Sequence, residues 1–276
     1  MFKKIGLAVT FSPNSKALLK ETKLYSDQFS SEVIFIHVGS KSDSIEERLK
    51  ELIVSGGFAP ESINIVWGQG DPAKVINKKC EENNIDLLIA GALEKEKVIK
   101  YYIGSVARKL MRDPVCSLFV LTEPSLEPKP FKKISVQIDY SYESEILVNI
   151  AYQLAIKEKA SEICLIREYE VPGLAITVYD TGSTDETEKI RKKWHSEEKE
   201  KMDVFINELN LTGIKVRGVC LYGKEGWEAS NFVKENNSDL LIMSAPSKKL
   251  SFIDRFFQHN EEFIFKELPC SILLIK

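Results

Sequence analysis

The chain spells out one segment twice. Residues 83–92, Asn-Asn-Ile-Asp-Leu-Leu-Ile-Ala-Gly-Ala, return at 236–245 as Asn-Asn-Ser-Asp-Leu-Leu-Ile-Met-Ser-Ala. Other echoes keep the same order. Lys3-Lys4-Ile5 matches Lys132-Lys133-Ile134, and Ser31-Glu32 before the apolar run Val33 to Ile36 matches Ser161-Glu162 before Ile163 to Ile166. The run Pro114 to Leu121 matches Pro269 to Ile275. Matching segments in a fixed order mark a tandem duplication, so the chain is one domain built twice. The spacing between partners widens between Arg167 and Cys220, which places an insertion of roughly 23 residues in the second copy.

Two domains of ordinary size fit 276 residues, each long enough for its own core. Charged residues make up 29% and nearly balance, leaving a net charge of −3 with no basic block, which argues against a nucleic-acid partner. No apolar run approaches a membrane span, and the run after Met1-Phe2-Lys3-Lys4 is too short for a signal peptide. A cytoplasmic protein with no membrane partner is expected. Cys80, Cys116, Cys164, Cys220 and Cys270 are odd in number and scattered, mostly in strand-like runs, which reads as buried thiols.

The repeated unit alternates strands and helices. Ile5 to Thr10 reads as a strand ending at Ser12-Pro13, a serine cap with proline in the first helical turn. Leu18, Leu19 and Leu24 recur at helical spacing, and Val33 to Val38 is a continuous apolar run suited to a strand covered on both faces. Ile45, Leu49, Leu52 and Ile53 share a helix face that Gly56-Gly57 ends. A third strand over Ile63 to Trp67, a helix opened by Asp71-Pro72, a strand from Asp86 to Ala90, a helix around Val106 to Met111 and a strand from Cys116 to Leu121 complete the unit. Such alternation builds a parallel sheet with helices on both faces. The chain therefore divides into domain 1 at 1–122, a linker at 123–131 rich in proline, and domain 2 at 132–276 with its insertion near 170–210. That insertion contains Val171 to Asp180 and a charged helix from about Asp185 to Leu209, with Ile190, Trp194, Met202, Phe205 and Leu209 near one stripe. The stripe is either a buried face or a partner-binding face.

Ligands of open parallel sheets sit outside the carboxyl ends of the strands, where strand order reverses. In the first copy, strand four runs into Gly91, and after a loop Gly104-Ser105 opens a helix. Glycine lets backbone N–H groups approach a phosphate closely, and a helix N-terminus adds donors and a positive dipole end. Turn chemistry alone also explains such a pair.

The order of elements, with Ile36-His37-Val38 closing the second strand and Gly104-Ser105-Val106 after Gly91, resembles a universal stress protein domain. The resemblance covers nearly the whole chain, twice, as in the tandem branch of that family. It implies two five-stranded parallel-sheet domains of Rossmann-like, adenine nucleotide alpha hydrolase-like fold, packed as a pseudo-dimer with both fifth strands at the interface, and leaves room for a homodimer of the whole chain. ATP-binding members carry the pattern G-x2-G-x9-G-S/T, which stands here as Gly91, Glu94 and Gly104-Ser105, with glutamate for the middle glycine. The resemblance places Ala8, Val9 and Thr10 around adenine and ribose, Thr10 standing where an aspartate is usual. It places Val38 on the adenine, and Gly91, Gly104, Ser105 and Val106 around ribose and phosphates. A carboxylate at Glu94 aimed at a polyphosphate repels it unless Mg2+ or Lys95, Lys97 or Lys100 intervenes.

The second copy departs further. It keeps the aspartate as Asp139, but Glu168 replaces Val38, Ser244 and Ser247 replace the first two motif positions, and His259-Asn260 replaces the Gly-Ser pair. Close approach of phosphate is not expected there. His37, His195 and His259 lie in different contexts and suggest no metal site. Neither Glu94 nor Asp139 has a nucleophile or acid partner at motif spacing, so no catalytic residue is assigned and catalysis beyond a weak ATPase is not expected. Phe252, Phe256, Phe257, Phe263 and Phe265 read as core or interdomain packing, or an apolar pocket. The expected function is a regulatory module that binds ATP or AMP in domain 1, with Mg2+; the alternative is a scaffold that binds an unknown protein partner and no nucleotide.

Overall fold

The computed structural model describes residues 1–91, 93–94, 101–102, 104–170, 184–223, 227–245 and 268–276. These fall into two compact units, residues 1–130 with the C-terminal strand in the first and residues 131–243 in the second. The first unit runs β1 (Lys4–Ala8), α1 (Ser15–Phe29), β2 (Glu32–Val38), α2 (Asp43–Ser55), β3 (Asn64–Gly68), α3 (Pro72–Glu82) and β4 (Leu87–Gly91). It continues through β5 (Leu93–Glu94), β6 (Tyr101–Tyr102), α4 (Ser105–Arg112) and β7 (Ser117–Leu121). The second unit runs β8 (Lys133–Ile138), α5 (Tyr142–Glu158), β9 (Glu162–Tyr169), α6 (Thr184–Glu208), β10 (Lys215–Tyr222), α7 (Trp227–Glu235) and β11 (Leu240–Ser244). The last strand, β12 (Ser271–Ile275), closes the chain.

In the first unit the strands lie in the order β3-β2-β1-β4-β7, all parallel, and β12 is added antiparallel to β7 with Leu273 opposite Phe119. The segments read from sequence as the two fifth strands thus pair with each other. The second unit has the order β10-β9-β8-β11, again parallel. Strand residues such as Ile5, Leu7, Ile36, Leu87 and Ile89 are almost fully buried, as are Ile134, Val136, Ile163, Leu165 and Leu241. Helices cover both faces of a parallel sheet, which is why these strands are apolar without alternation.

The sequence echoes mark where strands start. The Asp86 carboxylate accepts the backbone N–H groups of Lys3 (2.8 Å) and Lys4 (3.1 Å), and Asp239 accepts those of Lys132 (2.7 Å) and Lys133 (2.8 Å). Asn83 donates its side-chain N–H to Lys79 O at the end of α3, and Asn236 does the same to Phe232 O at the end of α7. Asn84 (φ 52°) and Asn237 (φ 49°) then turn the chain through the left-handed region, which asparagine tolerates better than most residues. The Ser31 and Ser161 hydroxyls donate to Phe2 O and Lys132 O. The aspartates and asparagines make the same backbone bonds in both units, and the serines bond to acceptors one position apart.

Two local readings need amendment. Asp71-Pro72 does open α3, with Asp71 Oδ1 accepting Lys74 N–H (3.2 Å), but Ser12-Pro13 does not open α1. Ser12 uses its carbonyl to accept Ser15 N–H (3.1 Å) and its hydroxyl to pair with Ser15 Oγ (2.8 Å), so the helix starts two residues later. The expected loop between Gly91 and Gly104 contains an antiparallel pair, Leu93 opposite Tyr102 and Glu94 opposite Tyr101.

The inserted helix occupies the crossover position that α2 holds in the first unit, with 25 residues against 13. Met202 and Phe205 are buried and Trp194 packs on Tyr169, whereas Ile190 is 38% exposed. Only part of the apolar stripe meets the sheet. A Cβ on Gly218 of β10 would stand 2.1 Å from Met202 Cγ, so glycine is what admits α6 this close. Val171 to Asp180 and the phenylalanines from Phe252 to Phe265 lie outside the described residues. Among the described residues no helix is long and apolar enough to cross a membrane.

Candidate functional site

In the first unit the chain goes from β1 outward to β2 and β3, then returns to place β4 on the other side of β1. The order reverses between β1 and β4, so the crevice for a ligand opens at the carboxyl ends Ala8 and Gly91. Val9 N–H donates to Ile36 O (2.9 Å) and Val9 is buried, which carries the β1 line on to Thr10. Thr10 is exposed and its carbonyl accepts the Ser15 hydroxyl (2.6 Å). Val38, half-buried, ends β2 two residues past the Ala8–Ile36 pair, level with Thr10. Ala8 to Thr10, Val38 and Gly91 therefore share one end of one sheet.

The hairpin brings the other glycine back. Because Leu93 pairs with Tyr102, Gly91 and Gly104 each lie two residues from the same paired position. Gly104 (φ −59°, ψ 156°) is the residue before α4, its carbonyl accepts Arg108 N–H (3.0 Å), and exposed Ser105 and half-buried Val106 form the first turn. Asn77 of α3 donates to Asp113 O (2.9 Å), and Lys109 of α4 meets Asp71 at 2.6 Å. That lysine, followed by the Lys74 N–H, holds the Asp71 carboxyl below the usual range. Glu94 sits on β5.

Gly91 has a second explanation. A Cβ there would stand 2.8 Å from Leu18 Cδ1 and displace that side chain, so packing of α1 on β4 also favours glycine.

Sequence reasoning missed an aromatic group beside Val38. His37 and Trp67 lie 4.9 Å apart and Phe11 meets His37 at 6.1 Å. The Arg48 guanidinium lies 4.5 Å from the Phe11 ring and the Lys41 ammonium 5.8 Å from Trp67. His37 Nδ1 is 2.9 Å from Val9 O, a carbonyl that only accepts, so this nitrogen carries the proton. The histidine is thus engaged in joining β2 to β1. The signal existed as Phe11, His37 and Trp67 lying near the ends of β1, β2 and β3, but their convergence needed the register.

The second unit fills the matching positions. Glu168 is 4% exposed, accepting Ala229 N–H at the start of α7 (2.7 Å) and Gln137 Nε2–H (2.7 Å). The residue at the Val38 position has become a helix cap. Asp139 accepts Ser141 N–H (3.0 Å), the Ser141 hydroxyl and the Ser144 hydroxyl (2.7 Å). Partial burial pushes its carboxyl up, but these hydrogen bonds win and hold it below the usual range. Over β9 and β10, Glu198 of α6 is buried against Arg167 (3.4 Å) and Lys201 (2.7 Å), while Tyr140 donates to Glu198 O (3.1 Å). Burial pushes the Tyr140 phenol up. Ser244 is exposed at the end of β11, and Ser247, His259 and Asn260 lie outside the described residues. His195 Nδ1 meets the Tyr169 hydroxyl at 3.1 Å. Among the described residues no group of three or more metal-ligating side chains converges.

Residues 43–122 match the model of the universal stress protein family. Solved structures share the fold over the full length. A putative universal stress protein from Pseudomonas aeruginosa UCBPP-PA14 superimposes with TM-score 0.64 at 14% identity, covering 100% of this chain and 93% of that one. A universal stress protein from Archaeoglobus fulgidus DSM 4304 gives 0.62 at 16% identity, covering 99% and 98%. A functionally unknown protein from Pseudomonas aeruginosa PAO1 gives 0.63 at 13% identity, covering 100% and 92%. No curated protein matches the sequence.

Proposed function

We propose that the chain is a nucleotide-responsive regulatory module that takes ATP or AMP at the carboxyl end of the first sheet. The observation that carries this reading is the reversal of strand order at Ala8 and Gly91, with Gly104 opening α4 at the foot of the adjoining hairpin. In this reading Val38 packs on the base beside the Phe11–His37–Trp67 group, and Ala8 to Thr10 embrace the adenosine. Gly91, Gly104, Ser105 and Val106 offer backbone and hydroxyl donors to ribose and phosphates. The Glu94 carboxylate disfavours the longer phosphate chain unless Mg2+ shields it. The second unit takes no nucleotide because Glu168 already occupies the base position and caps α7.

A second reading, a scaffold that binds a protein partner without nucleotide, is favoured by the Leu18–Gly91 approach, which accounts for that glycine by packing. Mass spectrometry of small molecules released from the native protein, with calorimetric titration of ATP and AMP, separates the two. Stoichiometric adenine nucleotide supports the first reading. Empty protein with no heat at millimolar ATP supports the second.

A further inference from the structure

The second unit keeps open a groove that the first unit closes. In the first, α1 and α2 touch: a Cβ on Gly56, at the end of α2, would stand 2.5 Å from Leu19 Cβ. In the second, α5 and the longer α6 leave a groove of about 590 Å³. Its apolar floor is the buried Phe205 and the Tyr140 ring, with centroids 5.6 Å apart, and Val204 beside them is 56% exposed. Four carboxylates rim it, Glu145 from α5 and Glu197, Glu200 and Glu208 from α6. Glu197 also reaches Lys193 at 3.9 Å. Among the described residues Lys201 is the one cation in the wall, and Glu198 holds its ammonium at 2.7 Å.

Two features of this surface do nothing for the fold. Glu208 stands in the last turn of α6, at the negative end of the helix dipole, and no basic residue offsets it in that turn. A carboxylate in that place works against its own helix. On α5, Tyr142 is 71% exposed, and Ile146 and Ile156 are exposed on the same side, opposite the buried Leu147, Ala151 and Leu154. The matching positions of α1, aligned on Ser15 and Ser144, hold Pro13, Ala17 and Asp27. The apolar stripe therefore belongs to the second copy.

We propose that this groove docks a basic amphipathic helix of a partner protein. Charge complementarity selects a cation, because four carboxylates and the negative end of α6 face one ammonium that is already engaged. Length selects a helix over a small amine. Glu197, Glu200, Val204 and Glu208 fall at steps of three and four residues along one line of α6, a span of roughly 16 Å or three turns. A partner helix laid along that line sets lysines or arginines at the same steps against the carboxylates. Its apolar residues enter over Val204 and Phe205 and continue onto Ile146, next along α5 from Glu145. The surface lies on the second unit, so the proposal stands whether or not the first sheet takes a nucleotide.

The test titrates the full chain into a fluorescein-labelled helical peptide of about 14 residues repeating Leu-Lys-Lys-Leu, reading anisotropy at about 0.15 M salt. Binding should saturate at micromolar concentration, and a scrambled peptide of the same composition should bind at least about tenfold more weakly. Glu200→Lys combined with Glu208→Lys should weaken the amphipathic peptide at least about tenfold. That chain should unfold at the wild-type temperature or slightly above it, because lysine suits the end of α6. Glu47→Lys combined with Glu61→Lys, exposed carboxylates of the first unit, should weaken the peptide less than about twofold. The proposal is overturned if the peptide does not saturate, if the scrambled peptide binds equally, or if the reversal at Glu200 and Glu208 changes nothing. It is also overturned if spermine displaces the peptide at equal concentration, or if sedimentation shows a dimer of the chain that this reversal dissociates.

Discussion

The two repeats start their strands alike and end them differently. At the starts, Asp86 and Asp239, and Asn83 and Asn236, make the same backbone bonds in both units. At the carboxyl ends, Phe11, His37 and Trp67 of the first unit are replaced by Tyr140, Arg167 and Cys220 at the equivalent positions of the second, and Val38 by Glu168. Strand starts are held by backbone bonding, so any change there costs stability in either copy. Carboxyl ends carry ligands, so one copy can lose its site and reuse the space. In the second unit the position of Val38 holds Glu168, which caps α7, and a longer α6 packs on β10.

The largest effect should come from the buried cap. Glu168→Ala strips the acceptor from Ala229 N–H and Gln137, and should lower unfolding free energy by about 2–4 kcal/mol, read from the urea midpoint. It should create no nucleotide site, because Ser244 still stands where the first unit has Gly91. Gain of ATP binding would show that Glu168 alone separates the repeats.

Next comes Glu94→Gly, which restores the family pattern. ATP should tighten by roughly tens of fold and AMP by much less, since added phosphates feel the lost carboxylate most. Equal affinities before and after would remove Glu94 from the site. His259→Ala at the counterpart position should change neither.

Smaller still, Asp86→Ala and Asp239→Ala should each cost about 1–2 kcal/mol in thermal or urea unfolding, because each frees two partly exposed backbone donors. Unequal costs would mean that one clamp is redundant.

The smallest effect is a pH dependence. The Asp139 carboxyl is depressed in the folded state, so its stabilisation is full above the ordinary aspartate value of about 4 and fades as pH falls through the lower folded value. Asp139→Asn should flatten that acid limb of the stability curve slightly. Thr10 has no charge at the matching position, so Thr10→Val should leave the limb unchanged.

The fold was legible because duplication doubled every signal and because Lys-Lys-Ile and Asn-Asn-x-Asp encode local backbone bonds. The Asp71-Pro72 cap was legible for the same local reason. Ser12-Pro13 misled because a nearby serine, Ser15, competes for the capping hydroxyl. The hairpin after Gly91 was hidden in a two-residue pairing too short to show periodicity. The role of Glu168 rests on a backbone partner 61 residues away, which does not follow from spacing.

Calorimetric titration of ATP into the intact chain, beside Gly104→Val, tests the central claim most directly. The account predicts one site per chain, abolished by Gly104→Val while the unfolding midpoint stays near that of the wild type, because a side chain at Gly104 stands where the backbone must approach phosphate. Two sites per chain, or a single site untouched by Gly104→Val, would contradict it.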